Sequence, residues 1–118
     1  MAVSFVHLHV HSEYSLVDGL IRFKPLMAAL RADGMPAVAL TDLGNLFGLV
    51  KFYRAAQTAG IKPLTGAELR VRNPATPTRP DRLVLLAQDD QGYRQLTRLL
   101  SRSYLAGQDQ GFPQVERD

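Results

Sequence analysis

Short apolar runs alternate along this chain with segments of helical periodicity. The predicted strands are residues 3–8, 37–40, 63–71 and 83–87, and the predicted helices are residues 23–32, 46–59 and 89–105. Strands that alternate with helices form parallel βαβ units with right-handed crossovers. The connection over residues 73–81 holds three prolines and is predicted to be a loop. We therefore expect an α/β fold of parallel βα units, either an open sheet or part of a barrel.

Proline, glycine and asparagine mark the ends of these predicted elements. Pro25 fits the first turn of a helix, where a missing N–H costs nothing, and Gly60 is expected to end the second helix. Asn45 is expected to cap that helix. Gly66, inside the third strand, predicts a bulge or the close approach of another backbone. The wholly apolar run 37–40 is typical of a strand buried on both faces.

The sequence ends soon after its last predicted helix. Its 118 residues, 46% hydrophobic and 21% charged, fit one small globular domain or a piece of a larger one. Four strands of a barrel would leave open sheet edges, and the tail at 108–118 has little apolar periodicity. We therefore expect a truncated chain.

All three histidines lie close together near the start, at His7, His9 and His11. The spacing of two is the period of a β-strand, so these side chains would share one side of a strand that ran this far. Asp18 follows shortly, and imidazole nitrogen with carboxylate oxygen suits zinc, manganese or iron. The plainer alternative is a surface cluster on an edge strand or a chance run. We favour a metal site, because chance would scatter three histidines along the chain.

Acidic residues stand toward the ends of the other predicted strands. Asp42 follows the second strand, and Glu68 lies toward the end of the third. Functional groups gather at the carboxyl ends of parallel strands, so these acids and the histidines are expected to meet at one edge of the sheet. Taken singly, Asp42 could cap a helix or turn, Glu68 could face solvent, and Asp18 with Gly19 could form a turn. Taken together, they predict a metal site.

A site of this kind would perform metal-assisted hydrolysis, because bound ions lower the pKa of a water and neutralise phosphoester oxygens. The chain has no cysteine, no Gly-rich phosphate loop and no Gly-x-Ser-x-Gly motif around Ser12 or Ser15. No apolar run approaches the roughly 20 residues of a membrane span. The start of the chain carries no signal-type segment, so we expect a cytoplasmic protein without a membrane partner. The net charge is +3, but the acidic and basic residues are interspersed, so the charge predicts no binding partner.

Three stretches carry a resemblance to a known family. They are HLHVHSEYSLVDG at residues 7–19, TDLGNLFG at residues 41–48 followed by VKFY at residues 50–53, and GIKPLTGAE at residues 60–68. In order and spacing they resemble the PHP (polymerase and histidinol phosphatase) domain at the N-terminus of bacterial DNA polymerase III alpha subunits. The Asp-x-Gly-Asn-x-x-Gly and Lys-Phe-Tyr motifs resemble the replicative subunit more than a stand-alone histidinol phosphatase.

This resemblance implies a distorted (βα)7, TIM-like barrel, of which residues 1–118 would be the N-terminal portion. It also implies a cluster of divalent metal (zinc, manganese, iron or magnesium) at the carboxyl ends of the strands. Family members with an intact cluster are metal-dependent phosphoesterases, and some polymerase members have 3′–5′ exonuclease activity. The implied ligands are His9, His11, Asp18 and Glu68, with His7 and Asp42 as further candidates.

Position 43 departs from the family pattern. Metal-binding relatives read Thr-Asp-His where this chain has Leu43 as the third residue, and leucine cannot ligate a metal. The resemblance therefore implies an eroded site with at best partial metal binding. Some polymerase relatives use the domain as a structural support and as the docking surface for the proofreading exonuclease subunit. We therefore favour a structural PHP module within a polymerase III alpha chain that meets DNA through the replicative holoenzyme. An active phosphoesterase or exonuclease is the alternative.

Overall fold

The structure is a computed structural model that describes residues 5–16, 18–109 and 111–117. The helices are α1 (Phe23–Ala32), α2 (Leu49–Ala59) and α3 (Asp90–Leu105), and a 3₁₀ turn spans Glu13–Ser15. The strands are β1 (Ala37–Leu40), β2 (Lys62–Val71), β3 (Asp81–Leu86), β4 (Gln108–Asp109) and β5 (Phe112–Pro113). None of the described helices is long and apolar enough to cross a membrane.

The main sheet has the order β1-β2-β3. β1 and β2 are parallel, with Ala37 opposite Lys62 and Leu40 opposite Thr65, and α2 is the crossover between them. β3 is antiparallel to β2, so the parallel units that the sequence predicted do not extend to this strand. The connection before β3 contains no helix, and a chain that returns without a crossover pairs antiparallel with its neighbour.

The three helices pack on one face of this sheet. Val38 and Leu40 of β1 share a core with residues of α1 and α2, while Ala67 and Leu69 of β2 share a core with residues of α3. The parallel register puts Leu40 opposite Thr65. Because side chains alternate along a strand, Ala67 and Leu69 lie on the same face as Leu40. Glu68, between them, therefore points to the opposite face.

The predicted first strand is not formed as such. Its first two residues lie outside the described ranges, and residues 5–8 form an extended segment with one isolated bridge, between His7 and Val38. The amide of Thr41 donates to the carbonyl of Val10 at 2.9 Å, but the amide of Val10 donates to the Oγ1 of Thr41 at 3.0 Å. A side chain thus takes the place of a backbone carbonyl, which interrupts the ladder beside β1.

The buried carboxylate of Asp42 attaches the loop after the histidines to the sheet. Its side chain is 1% exposed, and the residue lies two positions after Leu40, the last residue of β1. Oδ1 accepts hydrogen bonds from the Ser12 amide at 2.5 Å and from the Ser15 hydroxyl at 2.9 Å, and Oδ2 accepts from the Ser12 hydroxyl at 2.8 Å. The Ser15 hydroxyl in turn accepts from the amide of Leu43 at 3.0 Å. This network fixes the backbone next to His11.

Helix α2 begins at Leu49, three residues later than predicted. The side chain of Asn45 does not cap it. Its Oδ1 accepts from the amide of Phe47 at 3.1 Å, and its Nδ2 donates to the carbonyl of Tyr14 at 2.9 Å. Asn45 therefore forms its own turn, as asparagine commonly does. The predicted end of α2 is confirmed, because Gly60 takes the left-handed conformation with φ of 74°.

The predicted close approach at Gly66 is confirmed. A Cβ there would lie 2.6 Å from the Leu85 carbonyl oxygen and 2.7 Å from Leu86 Cδ2. We expect Gly66→Ala to lower the free energy of unfolding by about 1–3 kcal/mol, because the β2–β3 pair must shift to admit the methyl group. The measurement is urea unfolding of the chain followed by circular dichroism. The control is Gly92→Ala in α3, where the nearest heavy atom is 3.5 Å from the new Cβ. That helical change should be neutral or stabilising by up to ~1 kcal/mol, and equal stability of the two variants would contradict this account of Gly66.

The Asp42 network gives a second prediction. Asp42→Asn replaces an acceptor-only carboxylate by an amide that cannot serve all three buried donors. We expect a loss of about 2–3 kcal/mol in the free energy of unfolding, measured by the same urea titration. The matched control is Asp33→Asn at the exposed end of α1, expected to change stability by less than about 0.5 kcal/mol. A similar small effect at both positions would remove Asp42 from the interactions that hold this loop.

Candidate metal centre

Two histidines and one glutamate meet on the face of the sheet that the helices leave free. Val10 packs into the core beneath α1 and α2. Because neighbouring side chains of an extended segment alternate, His9 and His11 on either side of Val10 point away from that core. There they meet Glu68 of β2, and one ligand atom from each of the three residues lies within 4.8 Å of the others.

The centre of this group is the Oε2 atom of Glu68. It lies 3.3 Å from Nε2 of His9 and 2.5 Å from Nε2 of His11. The Glu68 side chain is 5% exposed, so the alternative of a solvent-facing strand residue does not hold. His11 is 15% exposed and His9 is 55% exposed, which leaves the group open to solvent on the side of His9.

The closest contact in the group lacks the alignment of a hydrogen bond. Among the described residues, neither Nε2 of His11 nor Oε2 of Glu68 has a hydrogen-bond partner, although both atoms are buried. A buried carboxylate oxygen that faces an unprotonated imidazole nitrogen brings two acceptors together, which is costly without compensation. A positive charge shared by the two atoms removes that cost, and either a proton or a metal ion can supply it.

Asp18 contacts the other ring nitrogen of His11. Its Oδ1 lies 3.1 Å from Nδ1 of His11. A carboxylate at Nδ1 favours the tautomer with its proton on that nitrogen, which leaves the lone pair of Nε2 free toward Glu68. The geometry thus puts Asp18 behind the histidine, in the position of an orienting residue.

Two other candidate ligands lie outside the group. His7 is exposed, and its ring meets the ring of Phe5 edge to face with centroids 4.9 Å apart. Both carboxylate oxygens of Asp42 accept hydrogen bonds from Ser12 and Ser15, so this carboxylate faces the loop. It caps neither the following helix nor the following turn.

Leu43 stands beside Glu68 in the sheet. The two residues form an isolated parallel bridge, in which the Glu68 amide donates to the Asp42 carbonyl at 3.0 Å and the Gly44 amide donates to the Glu68 carbonyl at 2.8 Å. Residues paired in this way have their side chains on the same face. Leu43 is 8% exposed, so an alkyl group without a donor atom borders the three ligands.

Arg82 also belongs to the site, although it was not among the residues predicted from the sequence. Its Nη1 lies 3.6 Å from Oδ2 of Asp18 and 3.8 Å from Oε2 of Glu68. Val84 is opposite Glu68 in the antiparallel register, so Arg82, two residues earlier, is a diagonal neighbour of Glu68 on the same face. Only the antiparallel direction of β3 reveals this, and the sequence pattern did not predict that direction.

The donor set fits a divalent metal. Two imidazoles and one carboxylate match three-ligand sites that keep a coordination position open for water. The partnerless buried atoms of His11 and Glu68 are the ones that such an ion would satisfy. The arrangement can hold one ion with three protein ligands among the described residues.

Comparison with known proteins gives matches along the chain. The chain is 52% identical over all 118 residues to a DNA polymerase III subunit alpha of Pseudomonas fluorescens. It is 46% identical over 114 residues, 97% of the chain, to the subunit of the same name from Escherichia coli K12. The chain spans about a tenth of the length of these relatives (10% of each).

Solved structures support the same fold. An amidohydrolase from Chromobacterium violaceum, with bound sulfate and no metal, has a TM-score of 0.64 and 26% identity, over 83% of this chain and 32% of its own. A structure from Bifidobacterium adolescentis has a TM-score of 0.59 and 19% identity over 86% of this chain and 32% of its own, which shows likeness of fold alone. The PHP domain family matches residues 7–118. The chain therefore belongs to the PHP domain family.

Proposed function

We propose that this chain is the N-terminal PHP module of a bacterial DNA polymerase III alpha subunit, where it serves chromosomal replication as a structural element. Identity of 42–52% along nearly the whole chain to proteins of that name supports this assignment. On this proposal the protein is cytoplasmic, and the rest of the alpha chain is its permanent partner. The polymerase chemistry belongs to that larger chain, which as a whole is a DNA-directed DNA polymerase.

We propose further that the module is the first part of a distorted (βα)7 barrel. In a barrel of this type helices cover the outer face of the sheet, and functional groups gather at the carboxyl ends of the strands. Two features of the chain support the proposal. Its three helices cover one sheet face, and the parallel pairing of β1 with β2 ends at Leu40 and Thr65, just before Leu43 and Glu68.

Leu43 carries the proposal of a structural role. It occupies the position at which the family pattern has a metal-binding histidine, and it borders Glu68 within the sheet. Among the described residues only His9, His11 and Glu68 bring ligand atoms together, with Asp18 behind His11. The residues present would therefore hold at most one ion, whereas the family's phosphoesterases use a cluster.

Arg82 gives a second reason for an eroded site. Its guanidinium supplies a permanent positive charge near the carboxylates of Asp18 and Glu68. Those two carboxylates are thereby partly compensated without any metal. The same charge repels a cation that enters the group, because unlike an imidazole it cannot lose its proton.

An active phosphoesterase or 3′–5′ exonuclease is the second candidate. The partnerless atoms of His11 and Glu68 favour it, because they are arranged for a shared cation. A divalent ion held by His9, His11 and Glu68 would supply Lewis acidity toward a water or a phosphoester oxygen. In that case Asp18 would orient His11, and Arg82 would stand ready to bind an anionic phosphoryl group.

Docking of the proofreading exonuclease subunit is part of the structural proposal. It would account for a module that keeps its fold while its metal site erodes. Substitutions on the exposed surface of the module should then release this subunit from the assembled polymerase, whereas substitution of His9 should not. That result would support a docking role separate from the metal group.

Restoring the missing donor tests the role of position 43. We expect Leu43→His to raise the affinity for manganese by about tenfold or more, since one further bond of ordinary strength is worth about 1.4 kcal/mol or more. The measurement is a calorimetric titration of the chain with manganese, accompanied by hydrolysis of a nitrophenyl phosphodiester. The control is Leu43→Gln, which puts a polar group of similar size there without an imidazole. Unchanged affinity in a folded Leu43→His variant would argue against erosion at this position.

Removing the internal cation tests the role of Arg82. We expect Arg82→Gln to raise the affinity for manganese about three- to tenfold, because a half-exposed charge beside the site opposes the ion by ~1 kcal/mol. The comparison variant is Arg79→Gln in the loop before β3, where the described structure has no carboxylate within 4.0 Å of the side chain. If both variants bind manganese like the unchanged chain, Arg82 does not compete with a metal.

A further inference from the structure

A groove between α1 and α2 carries a concentrated positive charge that the metal centre does not use. Its lining includes four exposed cations, which we call its rim: Lys24 and Arg31 of α1 and Lys51 and Arg54 of α2. It also includes two small apolar residues, Ala28 and Ala55, which we call its floor. We call this surface the basic groove. Its volume of about 930 Å³ lies at the upper end of the range of ligand sites, roughly 300–1,000 Å³.

The four rim cations form no ion pair with any residue that the structure describes. α1 and α2 contain no aspartate or glutamate, and among the described residues none of the four side chains has a carboxylate within 4.0 Å. Glu13, the one acid that lines the groove, lies 3.6 Å from Arg22. Four of the 14 lysines and arginines of the chain therefore lie around one groove and form no ion pair there among the described residues.

The two helices present matching faces. Lys24, Ala28 and Arg31 recur at the spacing i, i+4, i+7, and Lys51 and Ala55 at i, i+4, so on each helix cations and a small residue share one side. Seven residues of helix span ~10 Å, or two turns. Alanines between long cationic side chains leave room for apolar side chains of another element to enter the groove.

Lys51 is held at the rim as a cation. Its Nζ donates to the hydroxyl of Tyr14 at 2.8 Å and lies 5.4 Å from the centroid of that ring. The hydrogen bond from Lys51 to Tyr14 raises the pKa of the lysine above its ordinary 10.5, so it stays charged across the physiological range. The charge is thus fixed in place by an aromatic side chain that belongs to the loop beside the metal centre.

We propose that the basic groove is a docking site for an acidic amphipathic helix of a partner protein, with leucine-type side chains on the alanine floor and carboxylates at the four rim cations. This is the helix-in-groove mode of recognition, in which apolar anchors recur at i, i+3 or i+4, and i+7. The inference rests on charge and shape and is independent of the proposed function.

Charge makes the helices of a second copy of this chain a poor match for the groove. Of its helices, α1 and α2 carry no acid, and α3 carries Asp90 against three arginines. Nucleic acid is the weaker match, because a phosphate backbone uses the cations but not the apolar floor between them. A peptide uses both.

The test is fluorescence anisotropy with a labelled 14-residue peptide of leucine and glutamate at helical spacing, at ~0.15 M salt. We expect the peptide to bind the unchanged chain, and to bind the double variant with Arg31→Gln and Arg54→Gln about tenfold or more weakly. The matched control is Arg94→Gln with Arg98→Gln on the exposed side of α3, expected to change binding less than about twofold. Equal losses in the two double variants would mean that only net charge matters and would overturn the proposal.

A single substitution separates groove docking from attraction by charge. Ala28→Lys adds a positive charge but fills the floor. Docking predicts weaker binding of the peptide, by about fivefold or more, whereas attraction by charge alone predicts stronger binding. A scrambled peptide of the same composition should bind about tenfold more weakly than the amphipathic one. Equal binding of the scrambled peptide, or tighter binding of a single-stranded oligothymidine that displaces the peptide, would overturn the proposal in favour of a polyanion surface.

Discussion

The buried carboxylate of Asp42 connects the two parts of the chain that form the candidate metal centre. One part is the extended histidine segment, which has no regular ladder of its own. The other is the parallel pair β1 and β2, which carries Glu68. Three donors from Ser12 and Ser15 converge on Asp42, and the residue next in sequence to Ser12 is His11. The position of that imidazole is therefore set by a carboxylate that is not one of the three residues whose ligand atoms come together.

The electrostatics of the centre follow from the burial of Glu68. A carboxylate withdrawn from water needs positive charge or donors nearby, and here Oε2 faces two imidazoles and a guanidinium. Leu43 adds none. The same residues thus admit two ways of compensating Glu68, by an ion between the imidazoles or by Arg82. On the proposed account, the balance between these two ways decides whether the chain binds a metal ion, and the missing donor at position 43 favours compensation by Arg82.

Local signals predicted much of this fold. The bounds of α1 and β1 agree with the expected 23–32 and 37–40, because Pro25, Gly34 and a wholly apolar run are strong and local. Three features were not predicted correctly, and for a shared reason: the histidine segment, the direction of β3 and the start of α2. Each depends on a partner distant in sequence: the hydroxyl of Thr41, the hairpin register, and the carbonyl of Tyr14.

The site divides in the same way. The spacing of His9 and His11 and the strand position of Glu68 were enough to predict that these residues meet. The position of Asp18 behind His11 and the hydrogen bonds of Asp42 could not be predicted, because they exist only in the folded loop. Arg82 left no signal in the sequence, because its place beside Glu68 exists only in an antiparallel register. The resemblance to PHP domains added what spacing could not, namely the expectation of a histidine at position 43.

The most direct test of the eroded single-ion site is the metal content of the unchanged chain, purified without chelator or histidine tag. After incubation with manganese or zinc and gel filtration, plasma mass spectrometry would count the ions that remain bound. Three ligands with a competing arginine predict no more than about one equivalent per chain, lost in Glu68→Gln. Retention of two or more equivalents would contradict the account, because it would require ligands beyond His9, His11 and Glu68.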